Sequence, residues 1–389
     1  MKALLALGIT AALAATAAHA DGVQITGFGQ VVAGTVSNGG RNPATGVVSF
    51  PGTGYTSEWS FKDESLFALQ IRGDLNEQWS ATAQIVARGR EDFKPEFLSA
   101  YVGWNGGNGF SAKVGRQRSP YYRYSDFLDV SYAYPWLRPP HATYNLLSTI
   151  YDGGSLGYEF TTGDWFHSVG VFGGSQNSVA TIANAPATVK LTSLVGVSFE
   201  TTYSDWLTLR AGYANTDLTI DAAAFTPFLT SLRSRGFTTV AAAIDINKDP
   251  GTFLGLGGEI NLGKWLLLSE YTEQIVDKTF SSEKKQFYVT GGYRIGSIMP
   301  MLTYGRRDAD AKTEIIAMLP NIPALGGLRA ATTGIVLSDA LNAQYWSYGL
   351  RWDVAKNVAL KVDYSTFKNK TAVSNVDADS LAFGVTFIF

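Results

Sequence analysis

The sequence predicts an all-β chain closing into a transmembrane antiparallel β-barrel of 16 strands, and three observations carry that prediction. The first is alternation. Residues 379–389 put Leu381, Phe383, Val385, Phe387 and Phe389 on one face and Ser380, Ala382, Gly384, Thr386 and Ile388 on the other, because successive strand side chains point to opposite sides. Alone, that stretch also suits the edge of a β-sandwich. The second is composition. After residue 20 no apolar run approaches the ~18 residues of a membrane helix, yet charged residues are only 16% and aromatics 13%, against ~25% charged in soluble domains. A closed barrel pairs every backbone group between strands and so sits in lipid without a helix. The third is tryptophan placement. Trp79, Trp104, Trp165, Trp206 and Trp265 each stand beside a short polar turn. Any one of them could flank its turn for packing, but together they match an interfacial aromatic belt.

Residues 1–20 read as a signal peptide, with Lys2, an apolar run over 3–17 and an Ala18-His19-Ala20 cleavage site. Residues 21–389 are then one barrel domain. The chain has no cysteine, so no disulfide staples it, and its formal net charge of −2 gives no reason to expect a nucleic-acid partner. The predicted strands are 23–36, 65–75, 78–90, 97–104, 109–118, 150–161, 165–174, 189–202, 206–216, 251–262, 265–276, 284–295, 297–307, 342–353, 357–367 and 379–389. Short turns at 76–78, 105–108, 162–164, 203–205, 261–264, 294–297 and 353–357 alternate with longer loops. That is the pattern of short periplasmic turns and long extracellular loops. Loops 119–149, 217–250 and 308–341 are the longest. The last two contain helix-like stretches (222–232, 313–319) and strand-like ones (237–246, 332–337), so 18 strands is the alternative count.

Catalysis finds little support. Beyond the leader only His141 and His167 remain, and there is no thiol to act as nucleophile or soft metal ligand. No metal or cofactor is expected. Gly27-Phe28-Gly29 lacks the third glycine and the helix of a dinucleotide fingerprint, and reads as room for loop three, residues 119–149, to pack closely. Charges are a better guide. Alternation directs Arg72, Arg88, Arg90, Arg210, Arg294, Arg351 and Lys361 inward, together with Glu159, Glu200, Glu259 and Glu270. There they avoid the ~2–4 kcal/mol cost of Arg or Lys facing lipid at mid-depth. Arg116 points outward by the same rule unless Gly115 bulges or the residue lies at the rim.

At this point the chain resembles the general diffusion porins of Gram-negative outer membranes. The resemblance rests on the terminal Phe389 after alternating bulky residues, the Val114-Gly115-Arg116-Gln117 strand leading into a long third loop, and the Leu69-Gln70-Ile71-Arg72-Gly73 strand. It implies a homotrimer in the outer membrane, in contact with outer-membrane lipid and lipopolysaccharide. Phe389 and Phe387 would carry the signal read by the barrel assembly machinery. Function would be passive diffusion of ions and small hydrophilic solutes through a water-filled channel, without a cofactor. The resemblance also folds loop three into the lumen, where its Asp126 and Asp129 face a basic wall of Arg72, Arg88, Arg90 and Arg116. The chain departs from the family in three ways. Pro95-Glu96-Phe97 falls in a short second loop as a chance match to the constriction loop of enteric relatives. Loop two, 91–96, is too short to latch a neighbouring subunit. Loop three is unusually aromatic, with Tyr121, Tyr122, Tyr124, Phe127, Tyr132, Tyr134 and Trp136. Those rings raise the alternative of a substrate-specific channel that stacks sugars or aromatic or organic acids.

Overall fold

Alternation over the chain becomes 16 barrel strands in the computed structural model, which describes residues 19–20, 22–37, 53–141, 143–146, 148–182, 185–370 and 375–389. They are β1 (Val23–Ser37), β2 (Leu66–Asp74), β3 (Trp79–Arg88), β4 (Pro95–Asn105), β5 (Phe110–Arg118), β6 (Ile150–Thr162), β7 (Trp165–Ile182) and β8 (Ala185–Tyr203). The second half holds β9 (Leu207–Asp221), β10 (Asn247–Leu262), β11 (Trp265–Val276), β12 (Lys284–Tyr293), β13 (Ile298–Asp308), β14 (Asn342–Ala355), β15 (Val358–Lys370) and β16 (Asn375–Ile388). A two-residue strand, His19–Ala20, pairs with Gln24 and Val23. The predicted signal peptide otherwise lies outside the described residues.

Each strand pairs antiparallel with its neighbours, and β16 returns to β1 from Asp379↔Ser37 to Ile388↔Phe28. Gly27 and Phe389 exchange backbone hydrogen bonds at 2.8 and 2.9 Å, sealing the seam. Closure gives every barrel strand a partner on both sides among the described residues, as hydrocarbon requires. Exposure separates the two faces. On β16, Leu381 and Phe383 face outward while Ser380, Ala382 and Thr386 are fully buried toward the interior. Val114 (68% exposed) and Leu156 (61%) mark the outer face of β5 and β6. At the short-turn end Trp79 pairs in register with Trp104, and the Trp165–Tyr203 and Trp265–Tyr293 ring centroids lie 4.9 and 4.6 Å apart. Tyr304 and Trp346, at 4.8 Å, extend aromatic cover toward the long-loop end.

Three local expectations change. Gly27 and Gly29 do not make room for loop three. They seat the Phe389 and Phe387 rings on the outer face, where a Cβ would come within 2.3 Å of Phe389 Cζ and 2.7 Å of Phe387 Cζ. The 174–189 loop is mostly strand, because β7 and β8 continue past a register shift between Gly174 and Gln176. The strand-like stretches are helices, so the barrel has 16 strands and not 18. Loop 217–250 carries α1 (Thr226–Ser234) and α2 (Thr238–Ile244), and loop 308–341 carries α3 (Thr313–Ala317) and α4 (Gly326–Asp339). Val240, Ala241 and Ile244 share one helical face against Leu229, Leu232, Ile315, Leu319 and Val336. A strand would split that set across two faces.

Candidate functional site

Loop three runs from the end of β5 to the start of β6, and its polar side chains and carbonyls meet partners across the lumen. On the far wall the Arg123 amide donates to Glu270 Oε2 at 2.8 Å, and its guanidinium lies 3.4 Å from both Glu200 and Glu259. Tyr144 donates its hydroxyl proton to Glu270, as does Tyr288 at 2.7 Å. Arg210 donates to the Pro120 carbonyl at 2.9 Å. Further round, the Trp136 indole N–H bridges Thr290 and Thr303 at 3.0 and 3.1 Å. The Lys361 ammonium donates to the carbonyls of Tyr134 (2.7 Å), Trp136 (2.6 Å) and Ser131, while Arg351 donates to those of Tyr132 and Tyr134 at 2.9 and 3.0 Å. Of the inward charges predicted by alternation, Glu200, Arg210, Glu259, Glu270, Arg351 and Lys361 therefore hold the loop, while Arg294 bonds Asn261 and the Gly263 carbonyl at a short turn. This is where a barrel's inward charges find partners without meeting lipid.

The near wall is made by β3–β5. Arg88 forks onto Asp129, with Nε–Oδ1 at 3.2 Å and Nη2–Oδ2 at 2.9 Å, and it also ion-pairs with Glu96. Arg118 ion-pairs with Asp129 from the other side. Arg138, further along loop three, ties Glu64 at 2.5 Å and Asp363 on β15 at 3.2 Å. A cavity of about 540 Å³ lies between this wall and the loop, lined among others by Arg88, Arg90, Arg118, Glu64, Glu96, Asp129 and Arg138. Loop three thus touches both sides of the barrel and leaves a charged cavity beside it. Burial, with Arg307, Arg138 and Arg90 nearby, pushes the His141 imidazole down to about 4, so it is neutral at physiological pH.

The structure brings some predicted site residues together and separates others. Arg88 and Arg90 line the cavity with Asp129. Asp126 is exposed on a 3-10 turn, Ser125–Phe127, and lies outside that lining. Arg72 pairs with Asp74 at 3.0 Å near the short-turn end. Its register partner Thr82 precedes Arg88 by six residues, or about 20 Å along a strand. Arg116 is not in the basic wall. It pairs with Asp152 at 2.8 Å on the face that carries Val114 and Leu156, because Gly115 keeps the ladder in register at φ 133° without a bulge. Tyr121, Tyr122, Tyr124 and Trp136 are buried against wall residues such as Phe172, Phe253 and Tyr288.

A family model described as Gram-negative porin matches residues 3–372. The chain belongs to that family. No curated protein matches it. Among solved structures the porin resembles the outer membrane channel DcaP of Acinetobacter baumannii, with TM-score 0.59 and 12% identity over 96% of this chain and 100% of that one. It resembles Salmonella typhi OmpF at TM-score 0.58 and 14% identity, over 96% and 100% of the two chains. An anion-selective porin from Comamonas acidovorans gives TM-score 0.57 and 14% identity, over 94% and 99%. At such identities the likeness is one of fold. The porin is a channel of the Gram-negative outer membrane.

Four residues of the porin's site escape a reading of the sequence. Arg118 and its register partner Ile150 turn inward at the rim, where alternation stops being a guide. Glu96 contributes an acid on Arg88, so the Pro95-Glu96-Phe97 tripeptide does reach the site. Arg123 and Arg138 sit in a loop, where no periodicity assigns a direction.

Proposed function

We propose that the porin passes ions and small hydrophilic solutes by passive diffusion, and that the gap between loop three and the Arg88–Arg90–Arg118 wall is its narrowest charged passage. The observation that carries this is the Asp129 clasp. One loop carboxylate held between two wall guanidiniums places opposite charges at the passage. In a low-dielectric gap such charges orient polar solutes and disfavour apolar ones. Arg90 is exposed and makes no ion pair among the described residues, so it presents its charge to passing anions. Burial of Tyr121, Tyr122, Tyr124 and Trp136 favours general diffusion over stacking of a substrate on those rings. The test is the reversal potential of the purified porin in a planar bilayer across a salt gradient. Removing the Arg88 and Arg90 charges together must move it toward cation preference, and an unmoved potential rejects the passage.

Passive diffusion consumes no cofactor and needs no catalytic group. His167, the remaining candidate beside His141, bonds the Thr162 and Thr201 hydroxyls at 2.7 and 2.9 Å beside a turn. We further assign residues 1–20 as a cleaved signal peptide and 21–389 as the mature barrel. The mature chain forms a homotrimer in contact with outer-membrane lipid and lipopolysaccharide. Its assembly signal is Phe387 and Phe389, read by the barrel assembly machinery. The trimer form of Vibrio cholerae OmpT, at TM-score 0.52 and 13% identity, is a similar fold in that state. An amino terminus at Asp21 and a heat-sensitive trimer on unheated gels are the expected results.

A further inference from the structure

A water-filled barrel has no need of an apolar inner wall, yet this one has a stretch of it. On and beside the extracellular halves of β8–β10, Val189, Leu194, Leu218, Ile220, Ile246 and Phe253 line a cavity of about 690 Å³. On β8 and β9 the residues alternating with these, Lys190, Thr192, Asp217 and Thr219, are polar, so the apolar-out, polar-in order seen elsewhere is inverted here. Above the cavity, α1 and α2 share one apolar cluster with α3 and α4. Phe225, Ile244 and Ile335 of that roof also face the cavity. Loop three closes it from the other side through Tyr121, Asn145, Leu146 and Ser148.

One end of the cavity is charged. Lys284 and Arg307 line it with Asp339, which Lys284 binds at 3.1 Å. Two cations against one carboxylate leave a net positive charge there. Arg307 is mostly buried, and among the described residues its guanidinium makes no hydrogen bond or ion pair; its Nε is without a partner. A buried guanidinium nitrogen with no partner is costly, and an incoming anion would offset that cost. Its sequence neighbour Arg306 points the other way and is satisfied by Asp308 at 2.8 Å.

We propose that this cavity is a vestibular binding site for small amphipathic monocarboxylates, straight-chain or aryl. The carboxylate pairs with Arg307 beside Lys284, and the apolar body lies along Leu194, Leu218, Ile220 and Phe253. The proposal rests on the channel reading above and adds a solute class to it. A solute held there reaches the charged passage from a raised local concentration, and above saturation it obstructs the current.

The test is current block in planar bilayers, normalised to each protein's own open current, with solute added on the extracellular side. Octanoate, butyrate and octyltrimethylammonium are the probes. Each fully buried methylene is worth about fourfold in affinity. Octanoate is therefore expected to block saturably, with a half-blocking concentration at least about tenfold below that of butyrate. Octyltrimethylammonium, with a tail one methylene longer and the opposite charge, should be at least about tenfold weaker than octanoate. Arg307→Gln should raise the octanoate value by about tenfold or more. Leu218→Asn should raise it for octanoate and leave butyrate within about twofold, and it serves alone if Arg307→Gln does not assemble. Equal block by octanoate and butyrate, equal block by the cationic probe, or indifference to the substitutions would overturn the site. A protein that passes no current in plain salt overturns the channel reading instead.

Discussion

Lys361 offers the sharpest test of how loop three is held. It is 1% exposed on β15, and its ammonium donates to three loop-three carbonyls, those of Ser131, Tyr134 and Trp136. Methionine has a similar length and no donor. Each hydrogen bond from a charged donor contributes about 1.5–3 kcal/mol, so three lost bonds amount to roughly 4–9 kcal/mol gross. Removing the ammonium also removes its desolvation cost, which is several kcal/mol. The net loss of anchoring for Lys361→Met is then about 2–4 kcal/mol, or roughly 30- to 1000-fold in the balance between docked and undocked loop. Arg351 still holds the Tyr132 and Tyr134 carbonyls, which limits the release to a local one. Single-channel recording should show the steady level of the parent protein break into flicker between levels. Limited proteolysis should cut the 131–136 segment faster, while the barrel keeps its heat-modifiable mobility. A steady single level together with an unchanged cleavage rate would refute the anchoring.

In reversal-potential measurements across a KCl gradient, Arg88→Ala with Arg90→Ala should raise cation preference and Asp126→Ala with Asp129→Ala should lower it; potentials unmoved by both pairs remove loop three from the passage. Gly27→Val puts side-chain atoms where the Phe389 ring sits, since a Cβ at that position would lie only 2.3 Å from the ring's Cζ. It should lower the yield of assembled barrel, as should deletion of Phe389, and normal yields from both would contradict the seam. Cysteines at the exposed positions Thr230 and Ala324 should label from outside whole cells, and those at Gly107 and Asp205 should not; the reverse pattern inverts the barrel. His141 is held down at about 4, below the ordinary ~6.5, so its contribution to loop docking is present above ~6.5 and lost as pH falls through about 4. Current fluctuations should grow between pH 7 and pH 4 in the parent more than in His141→Asn, and identical profiles would show that His141 has no part.

Much of the barrel was legible because its code has period two. Strand positions followed from alternation, and the seven short turns from clusters such as Asn105-Gly106-Gly107-Asn108. The two long loops were less legible. Thr238 to Ile244 is short, apolar and β-branched at its start, so it suits either element when read alone. Only the partners Leu229, Leu232 and Ile315, supplied by other helices, decide for the helix. Gly27 and Gly29 show the same limit. A missing side chain signals close approach but cannot name what approaches, and here it was the carboxyl-terminal rings.

The charged site was legible by direction and not by pairing. Alternation aimed Arg88, Arg210, Arg351 and Lys361 at the lumen because lipid penalises the other face, and the structure finds them bonded there. Direction alone could not say that Lys361 meets carbonyls and no acid, nor that Asp129 engages two arginines. Those partners come from an irregular loop whose path is set by its aromatic burial. Tyr124, Tyr134 and Trp136 pack with Tyr288 and Leu268 on the far wall, and that packing fixes which carbonyls face Lys361. Apolar burial carries no direction of its own, so it places the loop; hydrogen bonds from inward charges then choose among the positions burial allows. In this porin the loop's rings and the wall's charges therefore act on one object. Losing either should free the loop, and combining Trp136→Ala with Lys361→Met should do less than the sum of the two changes, since each already undocks the same segment.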